Sequence, residues 1–540
     1  MSITLLGIHL VFASKMNPTY SYLSAVVSFV AVVISSVRWL RVAQREHYIP
    51  GYTSRFALRW YSDRYRVVNP ILAVLAAIAG LVVVARPDDL LPAGIGFLAV
   101  LAATLVAPRG LSYRGSTSPL NYTRRLTTLA ILTWLINVVF VGLGAWFGLG
   151  MAFGVVAMIL LPACVDLALL LTLPIERRNL SKFVDRAAKK LEKLSPRVVA
   201  ITGSYGKTST KVYIAHLVSS TFTTFASPAS FNNRAGLARA INEGLSPGTE
   251  VLVAEMGTFK KGEIADLCRW IPPDISVITS IGPVHLERFG SEDNIVEAKS
   301  EIAKNASVVV LNADNHYLAN LARTLSAEGK RLVMVSGKDI NADVAVKDDD
   351  EGNLVIYAGQ RRMCSMPFLD ISQTNIAAAV AVSLELGVPE SNIAERLATL
   401  PVAKNRLNLS TNESGITVLD DTYNSNPAGA RLALGALERR KSPLCRAVIV
   451  TPGMIELGKK QFEENSFLGR AAARIATDVV IVGYTNRRAL LEGVSNAETE
   501  GFKPNVLLVG SRGEAVRWVR ENLTFGDAVL YENDLPDHFL

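Results

Sequence analysis

The chain has 540 residues, half of them hydrophobic and 19% charged, with a mean hydropathy of +0.28, which is too apolar for a wholly soluble enzyme and long enough for three or four domains. Residues 1–195 carry 20 Lys+Arg against 8 Asp+Glu, a net +12, so the whole-chain +8 leaves −4 for the remainder. A basic excess confined to the apolar third, without a basic patch interleaved with aromatics, points to anionic lipid headgroups and orientation signals and excludes nucleic acid as the partner.

Five apolar stretches read as membrane spans: residues 20–40, 69–85, 91–107, 126–149 and 151–173. A helix needs ~20 apolar residues to cross ~30 Å of hydrocarbon, and the second and third stretches are short. They are separated by Arg86-Pro87-Asp88-Asp89, and the last two by a glycine-rich hinge. No small-residue cleavage site follows the first stretch, so it is expected to stay in the mature chain. The basic links hold Arg41, Arg45, Arg55, Arg59, Arg64 and Arg66, then Arg109, Arg114, Arg124 and Arg125, then Arg177, Arg178, Lys182, Arg186, Lys189 and Lys190. By the positive-inside rule these three links are cytoplasmic, giving a multi-pass membrane protein with its C-terminal half in the cytoplasm.

Asp166 lies inside the fifth stretch, where a carboxylate is either functional or paired, or else near a water-filled bundle end. In residues 177–196, Phe183, Ala187, Leu191 and Leu194 share one helical face, which marks a juxtamembrane helix lying on the membrane surface or on the next domain. The four cysteines, Cys164, Cys268, Cys364 and Cys445, lack CxxC spacing and read as buried free thiols, not as a disulfide framework or zinc site.

From Arg197 the pattern changes to α/β. A strand run at 198–201 leads into Gly203, Ser204, Tyr205, Gly206, Lys207, Thr208 and Ser209, and a helical run starts at Lys211. Strand, glycine turn and helix N-terminus make a phosphate cradle: backbone N–H groups and the helix dipole face the anion, Lys207 adds charge, and the Thr208 hydroxyl can ligate Mg²⁺. The general P-loop pattern has a further glycine where this chain has Ile201. A second strand run at 251–254 ends on Glu255, and a third at 275–279 precedes Gly282-Pro283-Val284-His285. Carboxylate and imidazole at the C-terminal ends of strands beside a phosphate loop point to metal or phosphate contact.

The chain resembles the Mur ligase family, on Phe231-Asn232-Asn233, Glu255-Met256-Gly257, Gly282 to Gly290, Ala298-Lys299-Ser300-Glu301-Ile302, Leu311-Asn312-Ala313-Asp314, Asn375, Arg406-Leu407, Asp420 to Pro427 and Met454-Ile455-Glu456-Leu457-Gly458. It is most similar to the branch that adds D-alanyl-D-alanine to a UDP-linked muramoyl tripeptide, over about residues 198–540. The resemblance implies an ATP-dependent acid–amino-acid ligase of bacterial peptidoglycan synthesis, in which ATP phosphorylates an acceptor carboxylate and an amine attacks the acyl phosphate. It implies that Lys207 and Thr208 hold the γ-phosphate and a first Mg²⁺, that Glu255 and His285 complete metal sites, and that Lys299 becomes carbamylated and ligates a second Mg²⁺. Asn375 would recognise adenine, Arg406 the nucleotide phosphates, and Asp421, Tyr423, Asn424 and Asn426 the junction of nucleotide and amine.

The expected architecture is an α-helical membrane bundle (1–176), the juxtamembrane helix (177–196), a P-loop α/β central domain (197–408) and a Rossmann-like α/β C-terminal domain (409–540). Three departures stand out. Lys404-Asn405-Arg406 lacks the family's glycine before the arginine, Ser372-Gln373-Thr374-Asn375 lacks an upstream His-Asn, and apolar stretches stand where the family's UDP-gripping domain should be. That last departure opens two acceptors, a lipid-linked cell-wall precursor or the UDP-linked one with the spans as a mere anchor. Arg45, His47, Tyr48, Arg55, Arg59 and Trp60 form a candidate contact for a pyrophosphate lipid or an interfacial anchor. Other classes are a ligase of another polymer, such as polyglutamate, and a membrane scaffold that senses nucleotide; Glu255, His285 and Lys299 together favour catalysis.

Overall fold

A computed structural model describes all residues except 1–17, 62–67, 86–88, 109–110, 112, 114–119, 229–230, 402–406, 423–424, 443, 499–502 and 536–540. Arg64, Arg66, Arg86, Arg109, Arg114, Lys404, Asn405, Arg406, Tyr423 and Asn424 therefore lie outside the described residues. The chain forms two compact units, one made by residues up to Asn179 with those from Leu535 on, the other by Leu180–Asp534.

The first unit is helical: α1 (Pro18–Arg45), α2 (Tyr52–Tyr61), α3 (Val68–Ala85), α4 (Leu90–Val106), α5 (Arg124–Trp146), α6 (Gly150–Ile159) and α7, which starts at Leu161 and continues to Leu194. On α1, Ser21, Ser24, Ser28, Ala31, Val32, Ser35 and Ser36 are buried, a seam at three- and four-residue spacing. Small side chains on such a seam let helices approach closely, as apolar-solvent helix packing requires. α1 meets α5 and α6 along it. The Ser21 hydroxyl accepts from Gly150 N at 2.9 Å, and a Cβ on Gly154 would fall 2.0 Å from Ser28 Oγ. The opposite faces expose Leu23, Val26, Val30 and Ile34 on α1 and Ile71, Val74, Leu75, Ile78 and Leu81 on α3.

Of the five expected spans, three described helices are long and apolar enough to cross a membrane: α1, α3 and α5. The third expected span, α4, has 17 residues. The fifth is broken: α6 and α7 meet at Leu160 with a bend of 75°, so together they make at most a fourth span. The apolar run through 151–173 hides this break because composition does not report helix direction.

Asp166 is paired. Buried on α7, it accepts from the N–H of Thr53 and Ser54 (3.3 and 2.8 Å) and from the Ser54 hydroxyl, so it caps the N-terminus of α2 from another helix. Arg38 does the converse, donating to the carbonyls of Leu105 and Ala107 (2.7 and 2.8 Å) at the end of α4.

The second unit holds two sheets. The first contains β1 (Arg197–Thr202), β2 (Thr224–Ala226), β3 (Val251–Glu255), β4 (Ile275–Ile278), β5 (Val308–Asn312), β6 (Arg331–Ser336), β7 (Val344–Asp348), β8 (Asn353–Ala358) and β9 (Arg361–Pro367), in the order β2-β3-β1-β4-β5-β6-β7-β8-β9. It is parallel through β7 and antiparallel at β8 and β9. Near-continuous Val/Ile strands demand cover on both faces. One face takes α8 (Lys207–Val218) and the alanine-rich helix Gln373–Leu386; the other takes helices Arg234–Gly244 and Glu263–Trp270. The end of α7 joins that second face: Val184, Ala187 and Leu191 are buried with Leu237 and Ile241, and Lys190 Nζ donates to the Asn242 carbonyl at 2.9 Å. The residue 180–194 face is thus part of the catalytic unit's core.

The second sheet contains β10 (Asn408–Thr411), β11 (Thr417–Asp421), β12 (Ala447–Thr451), β13 (Asp478–Val482), β14 (Asn505–Val509) and β15 (Ala528–Glu532), in the order β10-β11-β15-β12-β13-β14, parallel except for β10. All four cysteines are free; Cys268 is buried, whereas Cys164, Cys364 and Cys445 are only partly so, contrary to the expectation for the set.

Candidate active site

Ligands in open α/β sheets gather outside the C-terminal ends of parallel strands. β1 runs into the phosphate loop, whose shape is set by two glycines. Gly206 has φ +80°, and a Cβ there would lie 2.5 Å from the Asn375 Oδ1. Gly203 has φ +152°, and its Cβ would collide with Thr279 Oγ1 at 2.0 Å. The loop is tied to the segment after β4: Ser204 N donates to the Ser280 carbonyl (2.7 Å) and Tyr205 N to Ser280 Oγ (3.2 Å). Tyr205 lays its ring against Gly282, leaving no room for a side chain there. The loop's own N–H groups at 204 and 205 are thus spent on positioning, and the first turn of α8, beginning at Lys207, supplies the anion-facing end. Lys207 Nζ donates to the Gly203 carbonyl at 2.7 Å, and Ser209 lines the adjoining cavity.

Glu255, 2% exposed at the tip of β3, binds the loop from the side. Its carboxylate accepts from Thr208 Oγ1 (3.0 Å), Asn232 Nδ2 (3.1 Å) and Lys211 Nζ (3.1 Å). Burial alone would raise the Glu255 pKa; the charges of Lys211 and Lys207 and the hydrogen bonds outweigh it and hold the carboxyl below its ordinary value. Sequence reasoning assigned no role to Lys211, although it stands one helical turn after Lys207 on the same face.

Lys299, at the end of helix Glu292–Ser300, is 4% exposed. Burial, with the Lys207 charge facing it, pushes its pKa well below the ordinary lysine value and favours the uncharged amine. An uncharged amine is the form that adds CO₂.

His285 sits in the left-handed region (φ +56°) at the start of the short helix Leu286–Phe289. Its Nδ1 hydrogen-bonds the carboxylate of Glu456, which stands 3.5 Å from Arg288; the Leu286 N–H donates to the Glu456 carbonyl at 3.0 Å. A nearby ion pair joins Lys460 to Glu292 at 2.9 Å. The 456–460 segment of the second sheet's domain is thereby fastened to the loop that carries His285. Glu456 belongs to a quoted motif but had been given no role.

Across a cavity of about 390 Å³ from the phosphate loop lie Asp421, Asn426 and Arg431. Asp421 Oδ1 accepts from Leu407 N at 3.2 Å, and Asn426 caps helix Pro427–Glu438. Buried Glu532, beside Asp421 in the register of β15 on β11, accepts from Ser425 and from Thr451 Oγ1 (2.5 Å) and so ties Ser425 to the ends of β12 and β15. It ends a strand as Glu255 does, a signal that was readable. Asn375 packs on Gly206, beside the phosphate loop, and lines the same cavity.

The residues fit a Mg²⁺–nucleotide. A cradle that excludes Cβ atoms admits backbone-close phosphates, and a hydroxyl and carboxylate 3.0 Å apart are hard-oxygen ligands. Among the described residues, no three His, Cys, Asp or Glu side chains converge as a metal site.

The chain matches the model of the Mur ligase middle domain over residues 201–383 and that of the Mur ligase glutamate ligase domain over 405–531. It is 31% identical over 376 residues to the UDP-N-acetylmuramoyl-tripeptide–D-alanyl-D-alanine ligase of Mycobacterium tuberculosis, covering 65% of this chain and 73% of that protein. The Bacillus subtilis protein of the same name is 29% identical, over 63% and 74%. Among solved structures, MurF from Acinetobacter baumannii superposes with a TM-score of 0.57 at 25% identity (66% of this chain, 77% of that one). MurF ligase from Thermotoga maritima in complex with ADP gives 0.56 at 26% (66% and 80%). Two sheets, a phosphate loop facing the second of them, and relatives matched over most of their length lead to one conclusion: the chain belongs to the Mur ligase family, whose members are ATP-dependent ligases.

Proposed function

We propose that this protein joins D-alanyl-D-alanine, or a similar amine, to the carboxylate of a muramoyl peptide while ATP is cleaved to ADP and phosphate. The observation that carries this reading is the cavity bounded by the phosphate loop on one side and by Asp421, Asn426 and Arg431 on the other. Thr208 and Glu255 would hold Mg²⁺, with His285 and a carbamylated Lys299 at a second metal. Bound Mg²⁺ would neutralise charge on the transferred phosphoryl group. Lys207 would hold the γ-phosphate, Lys211 fixes the Glu255 carboxylate, Asn375 supports the turn against the nucleotide, and Asp421 with Asn426 orients the C-terminal domain's side of the cleft. Arg406 is proposed for the nucleotide phosphates. A cleft that closes between two domains excludes water from an acyl phosphate.

The acceptor is proposed to be lipid-linked. The matched region begins at residue 201, and about a quarter of each relative's length has no counterpart here, while the preceding unit is helical with three to four candidate spans. The multi-pass placement, with the catalytic unit cytoplasmic, is supported by Arg177, Arg178 and Lys182 after the last apolar segment. A UDP-linked acceptor is favoured by the names of the relatives. ADP release by the detergent-solubilised full chain, with D-alanyl-D-alanine and either acceptor, decides between them, with Lys207→Ala as the blank. Stimulation by the lipid-linked acceptor alone is expected. Stimulation by the UDP-linked form reduces the helical unit to an anchor, and stimulation by neither refutes the proposed amine or acceptor.

A further inference from the structure

Four carboxylates line the central cavity among the described residues: Asp314, Asp370, Asp421 and Glu464. Three of them are spent on the protein itself. Asp314 accepts from the Gly337 N–H at 2.8 Å, Asp370 pairs with Arg440 at 2.6 Å, and Asp421 accepts from the Leu407 N–H at 3.2 Å. Glu464 makes no hydrogen bond or ion pair among the described residues. Neither does Arg431, which is the one Lys or Arg of that wall among the described residues. Burial raises the Glu464 pKa, and the charges of Arg431 and Lys460 do not cancel the rise, as expected of a half-buried carboxylate that lacks donors.

Helix geometry brings both charges to one place. Pro427 and Arg431 stand one turn apart on helix Pro427–Glu438. Both border the central cavity and also a groove of about 420 Å³, walled by that helix and by helix Gln461–Ile475. Glu464, in the first turn of the second helix, borders both spaces as well. From this junction the groove runs over Ala430, Leu434, Met454, Leu468 and Ala471, an apolar floor with small side chains in it. A cation and a carboxylate that flank a junction without pairing present separated charges of opposite sign. Partly buried charges cost free energy until they are paired, so the junction is complementary to a zwitterion whose two ends reach both. A dipeptide spans at most about 7 Å, long enough to touch charges too far apart to pair with each other.

We infer that Arg431 receives the carboxylate and Glu464 the ammonium group of the incoming dipeptide, whose side chains lie in the groove. The inference rests on the ligase reading above and names the two residues that select the amine. The test is equilibrium dialysis of the full-length protein in detergent, with Mg²⁺, a non-hydrolysable ATP analogue and either acceptor. The probes are D-alanyl-D-alanine, its C-terminal amide and its N-acetyl derivative. ADP release is measured beside it, against dipeptide and against ATP concentration. Native protein is expected to bind the dipeptide about tenfold or more tightly than either derivative, since each derivative lacks one charge-assisted hydrogen bond. Arg431→Gln should abolish the preference over the amide and keep that over the N-acetyl form. Glu464→Gln should do the opposite, and Arg431→Lys should restore part of the preference that Arg431→Gln loses. A merely structural role would not produce these crossed losses. Equal binding of the three probes by native protein, or a preference unchanged in the variant that should lose it, overturns the inference. So does a raised KM for ATP with an unchanged KM for the dipeptide in Arg431→Gln, which assigns Arg431 to the nucleotide. Turnover separates the inference from the reading beneath it. Crossed selectivity without dipeptide-dependent ADP release keeps the dipeptide site and refutes the ligase reading. Dipeptide-dependent ADP release by a native protein that does not distinguish the dipeptide from its amide does the reverse.

Discussion

Lys211→Met is the substitution whose effect follows most directly from the site. Lys211 and Glu255 are 4% and 2% exposed, with nitrogen and oxygen 3.1 Å apart. Removing one partner of a buried pair leaves an uncompensated charge and costs about 3–5 kcal/mol. Glu255 keeps Thr208, Asn232 and the Lys207 charge, so the lower end, about 3 kcal/mol, is expected. The loss depends on pH. In the native protein the Glu255 pKa lies below its unfolded value of 4.5, so its stabilisation is complete above pH 4.5 and fades as pH falls through the folded value. Without Lys211 the carboxyl moves upward and protonates more readily. The gap between native and variant is therefore widest at neutral pH and narrows toward about pH 5 and below. The assay is hydrogen exchange of the β1 and β3 amides across a urea series on the full chain in detergent. Lys211→Met with Glu255→Gln removes both charges and should recover more than half of the loss. A single variant within about 1 kcal/mol of native, or a double variant no better than the single, refutes the reasoning.

Three further expectations share this logic. Glu456→Gln removes the anionic partner of His285 and Arg288; the Mg²⁺ concentration for half-maximal ADP release should rise about 10–100-fold, and an unchanged Mg²⁺ curve would disprove a positioning role. Glu532 is buried, which pushes its pKa up to about 7 from 4.5, so stability should fall as pH rises from about 4.5 through 7, by on the order of 3 kcal/mol at ~1.4 kcal/mol per pH unit. Glu532→Gln should flatten that slope in melting temperatures measured at several pH values, and an unaltered slope assigns it to other groups. Asp166→Ala removes the cap of α2 at a cost of about 1–2 kcal/mol. Tryptic cleavage at Arg55 and Arg59 should then speed roughly tenfold, and cleavage at the native rate would show that the cap does not hold the helix.

The catalytic half was legible because its signals are local. The loop from Gly203 to Ser209 follows a Val/Ile run and opens a helix, and each of those features is written within about ten residues. The strand ends at Glu255 and before His285 follow from the same rule, since parallel strands buried on both faces deliver their C-terminal ends to one edge. What stayed hidden depends on residues distant in the chain. Lys211 gains meaning only once β3 brings Glu255 under the first turns of α8, and Glu456 only once its segment docks on His285, 171 positions away. Asn375 is drawn to the phosphate-loop turn by the absence of a side chain on Gly206, a fact of φ and packing that no spacing encodes.

The helical half divides in the same way. Sequence alone determined that residues 1–195 are apolar and basic, because hydrophobic run length and Lys/Arg count are sums over composition. Only the tertiary structure decided that the last apolar run breaks by 75°, that Asp166 is spent on the N-terminus of α2, and that residues 180–194 belong to the catalytic unit's core. Hydropathy is a scalar that adds along the chain, whereas helix direction, capping and burial depend on which backbone groups and side chains meet, and that is settled only when distant segments pack.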